Sequence, residues 1–327
     1  VTFTDVVTLG ETMGLMKAET PGPLAQVSSL SLGMGGSESN FAIALRRLGT
    51  SVTWVGRVGN DSLGELVLRE LAAEGIVVDP LRDESAPTGL MIKERRTMDQ
   101  LKVWYYRAGS AGSRLSREDI PAERIANARL LHLTGITPAL SPEAARAAQY
   151  ALDIAREAGV LVSFDLNYRA ALWSADEARD VFRTFIAQTD IVFAGDDEAA
   201  IAVGKSDDSL ELARRVAALG PSQTVIKRGA AGCAAVIDGA EHVQDAVRVN
   251  AIDTVGAGDA FVAGYISDLL AGASAQERLL TAVRTGAFAC LVPGAWCPVT
   301  GKACRAGTSW PCWTPRNRWH AERGLIP

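Results

Sequence analysis

Cysteine is scarce and odd in number. The five residues Cys233, Cys290, Cys297, Cys304 and Cys312 in a chain of 327 argue against a disulfide framework of the kind that staples small secreted domains. Histidine is scarcer still, at three. His132, His242 and His320 are far apart, and no His-Glu-x-x-His helix exists, so all three read as packing or surface residues rather than metal ligands or members of a triad. No apolar stretch is long enough to span a bilayer. The first ten residues lack the basic stretch and apolar run of a signal peptide, so the expectation is a cytoplasmic protein with no membrane partner. Positive charge is not in excess. The formal net charge of -5 argues against a nucleic-acid partner held by phosphate contacts, while leaving room for a local basic pocket. Two common phosphate-binding patterns are missing as well. Gly301-Lys302 is followed by Ala303, with Trp296 where a P-loop needs its first glycine, and Gly33-x-Gly35 meets Glu38 where a dinucleotide fingerprint needs its third.

What is present is a globular composition, 48% hydrophobic and 22% charged, long enough for one large α/β domain. Residues 5–10 read as a short buried strand and 24–32 as a half-exposed one. A helix opens at Gly35-Gly36-Ser37 and runs to Leu48, followed by a strand at 51–58 and an amphipathic helix at 62–74. Segments 89–93 and 101–107, joined by a polar turn at Met98-Asp99-Gln100, have hairpin chemistry. Strands at 130–133, 160–165, 191–194 and 223–227 then alternate with helices at 142–157, 175–187 and 209–219. That spacing predicts a doubly wound, mainly parallel sheet covered by helices on both faces. Residues 234–237 and 242–243 read as hairpin strands, and 257–270 and 275–291 as two apolar helices.

From Gly294 the pattern stops. Cys297, Cys304, Cys312 and four tryptophans crowd among prolines and arginines with neither helical nor strand period. A zinc site built from those cysteines and His320 lacks the close Cys-x-x-Cys pair usual for zinc. A tail translated out of frame from an altered gene end would have the same character.

The most informative run is Asp253-Thr254-Val255-Gly256-Ala257-Gly258-Asp259, immediately before an apolar helix. Gly256 and Gly258 let an anion approach the backbone. The N–H groups of Gly256, Ala257 and Gly258 at a helix N-terminus favour negative charge. Such a turn suits charge developing on a transferring phosphoryl group, and Asp259 in the first helical turn can accept a proton from the attacking hydroxyl.

This run resembles the C-terminal signature of the ribokinase-like (PfkB) carbohydrate kinases. Gly35-Gly36-Ser37-Glu38-Ser39-Asn40-Phe41-Ala42, with Leu45 and Leu48-Gly49, resembles the family's N-terminal signature, and Gly56-Arg57-Val58-Gly59-Asn60-Asp61 with Gly64 its next block. The likeness implies a kinase domain over residues 1–293, with a β-sheet lid formed by about 11–34 and 87–108, and an atypical tail at 294–327. It also implies ATP as phosphoryl donor with Mg²⁺. Within the family, Tyr105-Tyr106-Arg107-Ala108-Gly109-Ser110-Ala111-Gly112-Ser113 and Asp165-Leu166-Asn167-Tyr168-Arg169 resemble 2-keto-3-deoxygluconate kinases. A sugar acid carries a carboxylate that arginine forks bind well, so Arg107 and Arg169 are expected at the substrate. Tyr106 would offer a hydroxyl and a flat face, its neighbour Tyr105 pointing the other way along the strand.

The resemblance places Gly35, Gly36 and Asn40 at the sugar. Met91 stands where relatives offer a further aromatic hydroxyl, which removes one substrate hydrogen bond. Asn167, Lys227, Gly229 and Gly232 match positions lining the nucleotide site, together with Gly256 and Gly258. Glu198 matches an acidic metal-site residue whose companion asparagine is here Gly195; an acidic helix start is the other reading of Glu198. The edges of a half-exposed lid suggest a homo-oligomer formed through the lids. The expected function is phosphorylation of the terminal hydroxyl of 2-keto-3-deoxygluconate by ATP. The alternatives are another sugar kinase of the family (ribose, fructose or similar) or a non-catalytic sugar- or nucleotide-binding protein on the same scaffold.

Overall fold

A computed structural model describes residues 3–97 and 100–291. The tail from Gly294, with its zinc and reading-frame hypotheses, and the turn residues Met98 and Asp99 lie outside the described residues. In chain order the first half holds β1 (Val6–Leu9), β2 (Met13–Ala18), β3 (Leu30–Gly35), α1 (Ser37–Arg47), β4 (Val52–Gly59), α2 (Ser62–Ala73), β5 (Val77–Asp83), β6 (Leu90–Arg95), β7 (Leu101–Tyr106) and α3 (Ala122–Ala126). The second half holds β8 (Leu130–Thr134), α4 (Ile136–Leu140), α5 (Pro142–Glu157), β9 (Leu161–Asp165), α6 (Ala175–Ile186), β10 (Ile191–Gly195), α7 (Asp196–Val203), α8 (Ser209–Ala217), β11 (Gln223–Lys227), β12 (Cys233–Ile237), β13 (Ala240–Gln244), α9 (Ala257–Leu270) and α10 (Ala275–Ala289).

The large sheet has nine strands in the order β13-β12-β11-β10-β9-β8-β1-β4-β5. From β11 to β5 every neighbour is parallel; β12 and β13 add an antiparallel edge. Its strands are apolar because both faces are covered. Val7, Leu9, Phe164 and Ile226 point into one core with α5, α6 and α8, whereas Val6, Trp54, Phe193 and Val225 point into the other with α1, α2, α9 and α10. The helices begin where their caps dictate. Ser141 accepts from Ala144 N before Pro142, and the pairs Ser174–Glu177 and Ser274–Glu277 form capping boxes.

Chain order reverses beside β1. The chain passes outward from it to β4 and β5, then returns to its other side for β8 through β11. In open α/β sheets the crevice at the carboxyl ends beside such a reversal takes the ligand. Gly10, Thr134 and Asp165 stand at or next to the carboxyl ends of β1, β8 and β9.

A second sheet, β3-β2-β6-β7, forms a separate layer. Where a strand was expected at 24–32, the chain makes a 3₁₀ turn at Leu24–Gln26 and pairs only from Leu30. Among the described residues no helix is long and apolar enough to cross a membrane.

Candidate active site

The turn before α9 is built around Gly256, which caps the helix at φ +80°. A side chain at that angle would meet its own carbonyl, so glycine is the natural occupant. One expected donor is diverted, because Ala257 N–H points back to the Thr254 carbonyl at 3.2 Å. The N–H groups of Gly256 and Gly258 make no such bond among the described residues. A Cβ on Gly258 would lie 3.7 Å from Lys227 Nζ, which puts the ammonium of β11 beside this turn. Lys227 is not an exposed strand-end lysine. It is largely buried and donates to both oxygens of Asp165 at 2.8 and 2.7 Å. Burial pushes the Asp165 carboxyl up, opposed by Lys227 and reinforced by Glu198 and Asp259. Burial alone would lower the Lys227 ammonium, but the charges of Asp165, Glu198 and Asp259 outweigh it and hold the group above its ordinary value.

Asp259 is held from two sides by the start of α1. Ser37 Oγ donates to Oδ1 at 2.6 Å and Asn40 Nδ2 to Oδ2 at 2.8 Å. Asn167 Nδ2 in turn donates to Ser37 Oγ at 2.6 Å. Two elements 219 residues apart thus fix one carboxylate. Loss of hydration raises the Asp259 pKa above the usual carboxylate value, with Ser37, Asn40, Lys227 and Arg169 pulling the other way. The result is an oriented carboxylate that is a stronger proton acceptor than a solvated aspartate, chemistry suited to a general base.

On the lid side, backbone packs closely on Gly36, whereas Gly35 faces the end of a flexible side chain. A Cβ on Gly36 would stand 2.4 Å from the Glu11 carbonyl, and one on Gly35 2.4 Å from Met91 Cε. Arg107 donates through Nε (2.8 Å) and Nη2 (2.5 Å) to the buried Glu11, which also accepts from Ser110 Oγ. Both bonds from Arg107 use one edge of the guanidinium. The register places Tyr105 opposite Met91, on the face that also carries Lys93, with Arg107 5.8 Å from the Tyr105 ring. Tyr106 pairs with Leu90 on the other face and is 61% exposed. The register thus puts Tyr105, rather than the expected Tyr106, on the face that carries Met91 and Lys93, because adjacent strand residues face opposite ways. Arg169 is exposed after β9, bonded to the Tyr168 carbonyl at 3.3 Å and within electrostatic reach of Asp259.

The expected nucleotide-side residues divide. Asn167, at φ +40°, is tied to Asp259 through Ser37. Gly229 (φ +52°) and Gly232 (φ +91°) shape the β11–β12 turn, where a Cβ on Gly232 would collide with the Gln244 carbonyl at 2.0 Å. Glu198 caps α7, accepting from Gly195 N at 2.7 Å and from Tyr168 N at 3.0 Å, which realises the acidic helix start. Among the described residues no three His, Cys, Asp or Glu side chains converge as a metal cage.

Sequence reasoning passed over Ser37, Glu11 and Glu38. Glu38 is fully buried beside Gly10 and accepts from Thr134 Oγ1 (2.6 Å) and Thr137 Oγ1 (3.3 Å), while its Oε2 has no hydrogen-bond partner among the described residues. Burial raises its pKa to about 7. Ser37 and Glu38 lie inside the Gly35–Ala42 run, but only a fold brings Thr134 under it. His132, as expected, packs: it stacks on Phe41 at 4.0 Å and shares a hydrogen bond with Ser163.

The model of the pfkB family carbohydrate kinases matches residues 4–299. The chain belongs to that family. It is 36% identical over 296 residues to a 2-dehydro-3-deoxygluconokinase of Bacillus subtilis (strain 168), covering 89% of this chain and 90% of the relative. It is 34% identical to a 2-dehydro-3-deoxygluconokinase of Thermoproteus tenax, covering 88% and 89%. The crystal structure of a 2-dehydro-3-deoxygluconokinase from Thermotoga maritima superposes with a TM-score of 0.85 at 28% identity, over 90% of this chain and 96% of that one. The pfkB kinase fold thus accounts for both the wound sheet and the separate small sheet.

Proposed function

We propose that this kinase transfers the γ-phosphoryl group of ATP to the terminal hydroxyl of 2-dehydro-3-deoxygluconate, also called 2-keto-3-deoxygluconate. The observation that carries the reading is Asp259, aligned by Ser37 and Asn40 at a helix N-terminus beside Lys227. As the hydroxyl oxygen bonds to the γ-phosphorus, its proton passes to Asp259. The bond to the bridging oxygen breaks, and ADP leaves with that electron pair. The Gly256 and Gly258 N–H groups and Lys227 are placed to receive the negative charge on the transferring oxygens.

Mg²⁺ suits this donor set as an ion bound mainly by phosphate oxygens and water, since the neighbouring carboxylates of Asp165 and Glu198 are already engaged. It would neutralise phosphate charge there. The sugar acid's carboxylate fits Arg107, through the edge that Glu11 does not use, and Arg169; Tyr105 and the Gly35–Gly36 backbone flank the chain of hydroxyls. The Gly229 and Gly232 turn falls to the nucleotide. The kinase domain is proposed to extend from residue 1 to about 293.

A substrate panel tests the sugar assignment. Turnover per KM should be at least roughly tenfold higher for the keto-deoxy acid than for ribose or fructose, the scale of one charge-assisted contact. Preference for a neutral sugar rejects the assignment.

A further inference from the structure

One buried ion pair joins the small sheet to the phosphate-receiving turn. Lys93 lies on β6, on the same face as Met91, and is 4% exposed. Its ammonium donates to Asp253 Oδ2, 160 residues away. Asp253 is buried too, and its other oxygen is also engaged, Oδ1 accepting from Val255 N at 3.1 Å. The backbone on the Asp253 side is anchored as well, with Ile252 N and Asp253 N both donating to the Cys290 carbonyl. Three residues later the chain must take the left-handed conformation of Gly256.

We propose that Lys93 is a positioning residue: by holding Asp253 from the lid, it sets the Thr254–Gly258 turn and so ties a seated lid to phosphoryl transfer. A buried carboxylate that loses its cation must find water or another donor. If the lid withdraws the ammonium, Oδ2 loses its charged donor and the Asp253 carboxylate is drawn to reorient toward water or another donor. Rotation breaks the bond to Val255 N and releases the turn whose N–H groups face the phosphoryl site. The sugar-side groups Tyr105 and Arg107 belong to the same sheet region, so a sugar acid that holds the lid down also holds the turn. Misplacing such a turn by about 1 Å costs on the order of 100-fold in rate, which sets the scale of the effect.

The inference rests on the kinase reading, and the experiment separates the two. Wild-type protein is assayed first with ATP and 2-dehydro-3-deoxygluconate; no turnover there defeats the kinase reading itself. Given turnover, Lys93→Met should lower kcat roughly 10- to 100-fold with the sugar KM changed less than about threefold. Lys93→Arg should recover most of the loss, and added methylammonium should partly restore Lys93→Ala. The double variant Lys93→Met/Asp253→Asn, which removes both charges of the pair, keeps the test open if the single variant fails to fold. Its kcat should still be low, because nothing then ties lid to turn. Unchanged kcat in folded Lys93→Met, a rise in sugar KM alone, or full activity in the double variant overturns the proposal.

Discussion

At the scale of single residues, the environment of Asp259 sets the pH behaviour expected of the proposed reaction. Its carboxyl is raised by loss of hydration, and only the deprotonated form accepts the hydroxyl proton. The acid limb of kcat should therefore lie above the ordinary aspartate range, with activity falling as pH drops through it; a limb near pH 4 or lower would contradict this. Ser37→Ala removes the donor to Oδ1 and the acceptor for Asn167. A hydrogen bond to a charged group contributes about 1.5–3 kcal/mol, so kcat should fall by roughly 10- to 100-fold in steady-state assays. Tyr105→Phe should raise the sugar KM several-fold and Tyr106→Phe should leave it unchanged; the reverse would favour Tyr106 as the substrate tyrosine.

Glu38 makes a separate, thermodynamic prediction. It titrates near 4.5 when unfolded and near 7 in the fold, so its stabilising effect is complete below pH 4.5 and is lost as pH rises through 7. The loss is at most about 3 kcal/mol. Between pH 5 and 8, Glu38→Gln should gain in Tm relative to wild type; parallel melting curves would contradict the assignment. Which residues carried charge or flexibility was legible from the motifs, since Gly256, Gly258 and Asp259 need no tertiary knowledge. The choice between Tyr105 and Tyr106 was not, because it depends on the register of β7 against β6, which neither residue encodes.

At the scale of elements, the site exists because α1 and α9 start at the same place. Gly36, which caps α1, is pressed against the segment leaving β1, with the Glu11 carbonyl where a methyl group would sit. Gly36→Ala must therefore shift β1's exit or the start of α1. It should abolish activity and cost about 1–3 kcal/mol of stability by thermal or denaturant melting; a wild-type kcat would show that α1 need not be held so closely. The parallel core was readable because its strands are continuous apolar runs bounded by amphipathic helices. β2 and β5 were not. β2, Met-Gly-Leu-Met-Lys-Ala, has few strand-favouring residues, and β5 contains Pro80, which an edge position tolerates. Both are strands by virtue of their neighbours rather than their own composition.

At the scale of the whole molecule, the small sheet is the part with most unfinished surface. Leu32 is 56% exposed and Tyr106 61%, with Trp104 also partly uncovered on the outer face. Among the described residues β3 and β7 end the sheet with no further strand paired to them. A second copy of this chain, pairing through these lids, is the expected occupant; light scattering should give a dimer mass, and a monomer at working concentration would remove it. The central claim, that a pfkB kinase fold uses Asp259 as base toward a keto-deoxy sugar acid, is tested most directly by coupled ATP consumption with 2-dehydro-3-deoxygluconate, comparing wild type with Asp259→Asn. The account predicts wild-type turnover and a loss of roughly 100- to 10,000-fold in kcat in a folded variant. Equal rates in the two proteins, or no turnover by folded wild type with any sugar, would contradict it.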